Sequence, residues 1–169
     1  MVRPHRFAPN PETAADNAFQ RPAEQLTAQD VADAAFREVT NAAERLEAEG
    51  VRVHLFEDHG ERDTPDSVFP NNWFSTHPGG HIAIYPMASP SRRRERRADV
   101  IELLKTAYRV QDVIDYSGLE PDGLFLEGTG AMVLDHVSRV AESRSAAPSR
   151  QVTCTSWPQA CMTPSTSLA

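Results

Sequence analysis

Between Val31 and Leu46 the residues Val31, Ala35, Val39, Ala42, Ala43 and Leu46 recur at three- and four-residue spacing, a period that an α-helix gathers on one face. Thr27 and Asp30 stand ahead of the run in a capping arrangement, and Gly50 stands where a C-cap belongs. The period then switches. Val51-Arg52-Val53-His54-Leu55-Phe56 alternates as a strand does. A helical period followed directly by a strand period commits the chain to a fold that mixes both elements.

The rhythm continues downstream. A polar loop from Glu57 to Asp66 leads to Ser67-Val68-Phe69 and a second strand over Phe69-Pro70-Asn71-Asn72-Trp73-Phe74. Pro78-Gly79-Gly80 signals a hairpin, with His81-Ile82-Ala83-Ile84-Tyr85 as the partner strand. Ser89 can cap a helix that has Pro90 at its first position and Val100, Ile101, Leu103, Leu104 and Tyr108 on its apolar face. Val110 to Tyr116 reads as a strand, and Leu124 to Leu134 as strand, turn and strand. The order β, β, β, α, β describes a module that can repeat. Residues 1 to 26, with Pro4, Pro9, Pro11 and Pro22, read as an extended lead-in with turns that can still lend side chains to a site.

At 169 residues the chain fits one domain. Its 17 Lys plus Arg against 24 Asp plus Glu give a net charge of -7, which repels a nucleic-acid backbone or an anionic membrane. No apolar run reaches the roughly 20 residues of a membrane span, and the N-terminus lacks the pattern of a signal peptide, so a cytoplasmic location is expected. Two cysteines, Cys154 and Cys161, provide no disulfide framework and no metal-binding pair. Residues 141–169 break the rhythm: Ser, Thr, Pro and Ala make up 18 of these 29, Gly and Asp are absent, and no apolar face can be drawn, so disorder is expected.

Several residues could carry chemistry. Arg92-Arg93-Arg94-Glu95-Arg96-Arg97 is the one basic cluster. It reads either as a solvated helix face in which Glu95 pairs with neighbouring arginines, or as a site for a carboxylate or phosphate. The paired amides Asn71 and Asn72, flanked by bulky aromatics, are poor strand formers, so they mark either a turn or a ligand contact. Glu127 sits between Leu126 and Gly128-Thr129-Gly130, an acid at the end of an apolar stretch beside closely approachable backbone. His54, His59, His77 and His81 share no helix face and have no cysteine nearby, so no metal is assigned to them.

Taken in order, Arg3-Pro4, Thr13 to Gln20 (TAADNAFQ), Asp66 to His77 (DSVFPNNWFSTH), Tyr85 to Arg97 (YPMASPSRRRERR) and Leu126 to Asp135 (LEGTGAMVLD) resemble the guanidino-group-modifying superfamily. Within it the likeness is to the amidinotransferase-like or citrulline hydrolase branch, with arginine deiminase and dimethylarginine hydrolase as more distant relatives. The likeness covers residues 1 to about 140. It implies an α/β fold of the pentein kind, ββαβ-type modules of an α/β propeller set around a central site that needs no cofactor.

In the resembling enzymes a cysteine thiolate attacks the central carbon of a guanidino or ureido group while a histidine moves protons. By position, Arg92 matches the arginine that grips the substrate α-carboxylate, and Glu127 matches the acid facing the guanidino end. Asn72, beside Asn71, matches an aspartate of the deiminases. A cationic guanidinium favours carboxylates, whereas a neutral ureido group offers an acceptor and donors that an amide can answer, so the resemblance leans toward citrulline over arginine. The family's catalytic histidine and cysteine motifs are absent: Cys154 and Cys161 lack its glycine-rich approach, and His136 falls where the Glu-containing strand is still finishing.

The expectation is therefore residues 1–140 as the N-terminal part of a truncated pentein domain, followed by a disordered or frame-shifted tail over 141–169. Such a chain binds a small molecule such as citrulline or an arginine-like amino acid, lacks turnover, and self-associates through exposed strand edges. Two alternatives stand beside this one: a non-catalytic amino-acid-binding or interaction module, and an amidinotransferase or deiminase acting on arginine-like substrates.

Overall fold

A computed structural model describes residues 1–14, 26–129, 131–135, 140–144 and 151–154. The chain forms two compact units interleaved in sequence, Met1–Pro70 with Ser89–Val100, and Asn71–Ala88 with Ile101–Ala169.

In the first unit, β1 (Val2–Pro4) and β2 (Phe56–Asp58) pair in parallel, Val2 opposite Phe56 and Pro4 opposite Asp58. Parallel neighbours need a crossover, and α1 (Ala28–Ala48) supplies it. This helix forms where the period predicts. The Thr27 hydroxyl accepts from the Asp30 amide at 3.1 Å while the Asp30 carboxylate accepts from the Thr27 amide at 3.0 Å, a reciprocal capping box. At the other end Gly50, with φ +82°, donates to Glu47 O, and Val51 donates to Leu46 O, both at 2.9 Å, closing the helix as a Schellman turn. Ala32, Val39 and Ala43 form its buried stripe, whereas Leu46 stays exposed.

The alternating run from Val51 becomes a strand only at Phe56, because pairing begins where β1 offers a partner. The lead-in, expected as an extended stretch with turns and assigned no paired strand, supplies that partner. The loop after β2 is organised by Asp58, which accepts from Gly60 N at 2.9 Å, from the Thr64 hydroxyl at 3.2 Å and from the Ser67 hydroxyl.

In the second unit, β3 (Phe74–His77), β4 (His81–Ile84) and β5 (Asp112–Asp115) form a sheet in that order, the first pair antiparallel and the second parallel. The hairpin lies where Pro78-Gly79-Gly80 places it, with Gly79 at φ +91° and Gly80 at φ +84°. A side chain on Gly80 would start 2.5 Å from the Arg109 carbonyl, so glycine is required there. β3 begins later than the sequence suggests: Pro70–Asn72 is a 3-10 turn, which takes the amide pair out of the ladder. Trp73, Ile82, Tyr85 and Met87 are buried in this unit.

Between β4 and β5 the chain makes two helices instead of one, α2 (Pro90–Arg93) and α3 (Ala98–Ala107). The break at 94–97 coincides with arginine side chains that bind carbonyls: Arg94 donates to Arg62 O at 2.8 Å, and Arg97 to Glu57 O at 2.7 Å. Strand, strand, helix and strand from Phe74 to Asp115 make one ββαβ stretch, and the mixture of helices with small sheets is that of an α/β protein.

A third sheet is an antiparallel meander of β6 (Met132–Asp135), β7 (Val140–Arg144) and β8 (Gln151–Cys154). β7 and β8 lie largely in the stretch from 141 onward for which disorder is expected. Backbone pairing, which needs no apolar face, joins those two segments to β6, and the remainder of 141–169 lies outside the described residues. Leu124 to Glu127, expected as a strand, has no regular structure. Among the described residues no helix is long and apolar enough to cross a membrane.

Candidate functional site

The second unit holds the two amides and the acid. Asn71 and Asn72 close the 3-10 turn that begins at Pro70, the first exposed and the second 8% exposed. Segment 126–129 is laid against this turn: Gly128 donates its amide to Asn72 O at 2.8 Å, and Leu126 donates to Pro86 O at 3.0 Å. Glu127, half-buried, is thereby carried one residue ahead of the Asn72 contact. A Cβ on Gly128 would meet Asn71 O at 2.5 Å and the Tyr85 ring at 2.8 Å, so this approach admits only glycine.

The Thr129 hydroxyl joins both amides. It accepts from Asn71 Nδ2 at 3.0 Å and donates to Asn72 Oδ1. The hydroxyl thus spends its one proton on Asn72 Oδ1 and one of its two lone pairs on the Asn71 amide. Asn72 Nδ2 is left as the free end, and it donates to no group among the described residues. Beside the turn, Tyr85 is 2% exposed, and its hydroxyl meets Ser75 Oγ, which also lies 2.6 Å from His77 Nε2. Burial raises the phenol above its ordinary range, and the Ser75 bond offsets part of that rise.

Arg92 belongs to the first unit. Its Nε donates to Asp66 Oδ2 at 3.1 Å, and both side chains are mostly buried, at 14% and 11% exposure. Asn10 Nδ2 donates to the same Asp66 oxygen at 2.7 Å and to Ser91 Oγ at 3.2 Å. Ser91 in turn donates its amide and hydroxyl to Glu12 Oε2, at 3.1 and 2.6 Å. Those two bonds, hydroxyl first, hold the Glu12 carboxyl below its usual range. Asp66 Oδ1 accepts no hydrogen bond among the described residues.

The solvated-face reading of the arginine run does not describe Glu95, which is 3% exposed. Nor do the arginines form one anion patch: Arg94 is turned to Asp63 and Arg97 to Asp99. Arg92 is thus set apart from the run by its buried acid.

The structure brings Asn71, Asn72 and the Glu127 segment together in one unit and places Arg92 in the other. Sequence reasoning did not single out Asn10, Asp66 or Thr129. Asp66 and Thr129 lie inside motifs already noted, but Asn10, between two prolines, resembles an ordinary turn residue. Among the described residues no cluster of His, Cys, Asp and Glu is arranged to hold a metal ion. Cys154 ends β8, and Cys161 and His136 lie outside the described residues.

A sequence model of the eukaryotic N,N dimethylarginine dimethylhydrolase family matches residues 3–149. The chain belongs to this family. No curated protein and no solved structure matches it. The dimethylarginine dimethylhydrolase match reaches into both units and takes in Asn10, Asp66, Asn71, Asn72, Arg92, Glu127 and Thr129, while Cys154 and Cys161 lie beyond its end. It supports membership of the guanidino-modifying superfamily, a hydrolase or amidinotransferase type of function, and a small arginine-like substrate.

Proposed function

We propose that this chain carries the substrate-recognising residues of a carbon-nitrogen hydrolase of the citrulline type, whose reaction hydrolyses the ureido group of citrulline with one water to give ornithine, ammonia and carbon dioxide. One observation carries the reading: Thr129 occupies Asn72 Oδ1 and leaves Nδ2 as the group on offer. A guanidinium presents only N–H donors, which an amide NH2 repels, whereas a ureido carbonyl accepts from it. The role of Arg92 as a forked donor to the α-carboxylate is the one the family resemblance implies, and within its own unit its partner Asp66 keeps Oδ1 uncommitted for an α-ammonium. Asn71 and Glu127 serve the terminal nitrogens.

The fan of pentein modules belongs to the same proposal, with the ββαβ stretch from Phe74 to Asp115 as one of its modules. Neither Cys154 nor Cys161 is given a catalytic role, so the chain recognises its ligand without turning it over.

A second reading follows from the matched family, whose name specifies N,N-dimethylarginine. Replacing dimethylamine by water on that guanidino carbon yields citrulline, so a donor aimed at a ureido oxygen would then meet the product. Calorimetric titration with citrulline, arginine and N,N-dimethylarginine, run beside assays for released ammonia and dimethylamine, tests both readings. Tightest binding of citrulline with no release is expected. Preference for dimethylarginine moves the assignment to the second reading, and release of either amine refutes the absence of a catalytic thiol.

A further inference from the structure

We propose that Asn10 is a positioning residue for Arg92, setting the direction from which its guanidinium meets a substrate carboxylate. The inference rests on the reading of Arg92 as the carboxylate grip.

Asn10 lies in the proline-rich lead-in yet is 1% exposed, the burial of a core residue. A buried amide has to be satisfied on both ends. Its Oδ1 accepts from Glu12 N at 3.0 Å, and its Nδ2 is shared between Asp66 Oδ2 at 2.7 Å and Ser91 Oγ at 3.2 Å. Asn10 therefore touches two groups that support Arg92: the carboxylate that receives Nε, and the residue next to it in the chain.

The Nε contact decides where an arginine points, because the guanidinium is planar and one fixed N–H orients the rest of the fork. Asp66 on its own supplies that fix poorly, since the terminal torsion of an aspartate is broad. The Asn10 donor meets the same oxygen as Arg92 Nε and holds it in place. On the chain side, Ser91 is 3% exposed and bound by Asn10 and Glu12, which fixes the backbone from which Arg92 departs. The lead-in thus acts on a residue far from it in sequence through two hydrogen bonds from one amide.

The test compares the full chain with its Asn10→Ala variant in two measurements. One is calorimetric titration with citrulline and with ureidobutylamine, the analogue without the α-carboxylate. The other is the heteronuclear NMR resonance of the Arg92 Nε–Hε group, assigned with Arg92→Lys. The expected result is a loss of citrulline affinity of about tenfold or more, unchanged affinity for ureidobutylamine, and disappearance of a slowly exchanging Arg92 resonance. Equal losses for the two ligands would show a merely structural role and overturn the proposal, as would unchanged citrulline affinity with the resonance retained. If the unmodified chain binds neither ligand, the functional reading fails separately, and the resonance alone decides: its loss in the variant sustains positioning and its persistence refutes it. Should Asn10→Ala not fold, Asn10→Ser, which keeps a small hydroxyl in the same space, is read by the same criteria.

Discussion

Gly128 donates its amide to the backbone oxygen of Asn72 at 2.8 Å, so the acid-bearing segment and the amide turn share one backbone contact. That contact leaves no room for a side chain. Gly128→Ala places a methyl group 2.5 Å from Asn71 O, a backbone atom that cannot swing aside. The substitution is expected to destabilise the chain by about 1–3 kcal/mol, read as a lower urea midpoint, and to weaken citrulline binding. An unchanged midpoint would show that the segment is free to lift.

Thr129 orders the two amides with one hydroxyl. Thr129→Val keeps the shape and removes the donor to Asn72 Oδ1 and the acceptor for Asn71 Nδ2. A stability cost of about 1 kcal/mol is expected from the lost bonds. The more specific outcome is in ligand preference. With Oδ1 released, Asn72 can turn either end outward, so the ratio of citrulline to arginine affinity should fall, and Thr129→Ser should restore it.

Acid stability should depend on Glu57. Its carboxylate accepts from Arg3 and, at 2.7 Å, meets His5 Nε2. The Arg3 bond leads in lowering its pKa from 4.5 to about 2, burial opposes, and the His5 bond adds to the lowering. With the folded value depressed, the stabilisation is fully present above 4.5 and is lost as pH falls toward 2. Both partners are about a third exposed, so solvent screens the pair and the effect is modest. Urea unfolding should find the unmodified chain more stable than Glu57→Gln at pH 6, with the difference shrinking as acid is added. A constant difference would assign the loss to other carboxylates.

Arg92 makes a charge-specific claim of its own. Arg92→Ala should weaken citrulline by about 10- to 100-fold, the range for a charged hydrogen bond, and leave ureidobutylamine nearly unaffected. An equal loss for both ligands would mean that the arginine serves only to hold Asp66.

What the sequence disclosed follows from how local each determinant is. α1 was legible because its cap, its stripe and its stop all lie within Thr27 to Val51. The hairpin was legible because Gly79 and Gly80 announce positive φ. β1 was not, since three residues ending in proline become a strand only through a partner on the far side of α1. The same reasoning displaced the strand expected from Val51. At the candidate site, Arg92, Asn72 and Glu127 were visible through their motifs. Asn10 was not, because its burial depends on Asp66 and Ser91, which the fold alone brings to it.

Exchanging the amide for the acid at position 72 tests the substrate assignment most directly. Titration of citrulline and arginine into the unmodified chain and into Asn72→Asp should show citrulline favoured by the first and arginine by the second, with citrulline weakened about 10-fold or more by the change. Arginine bound more tightly than citrulline by the unmodified chain, or a preference indifferent to the substitution, would contradict the assignment.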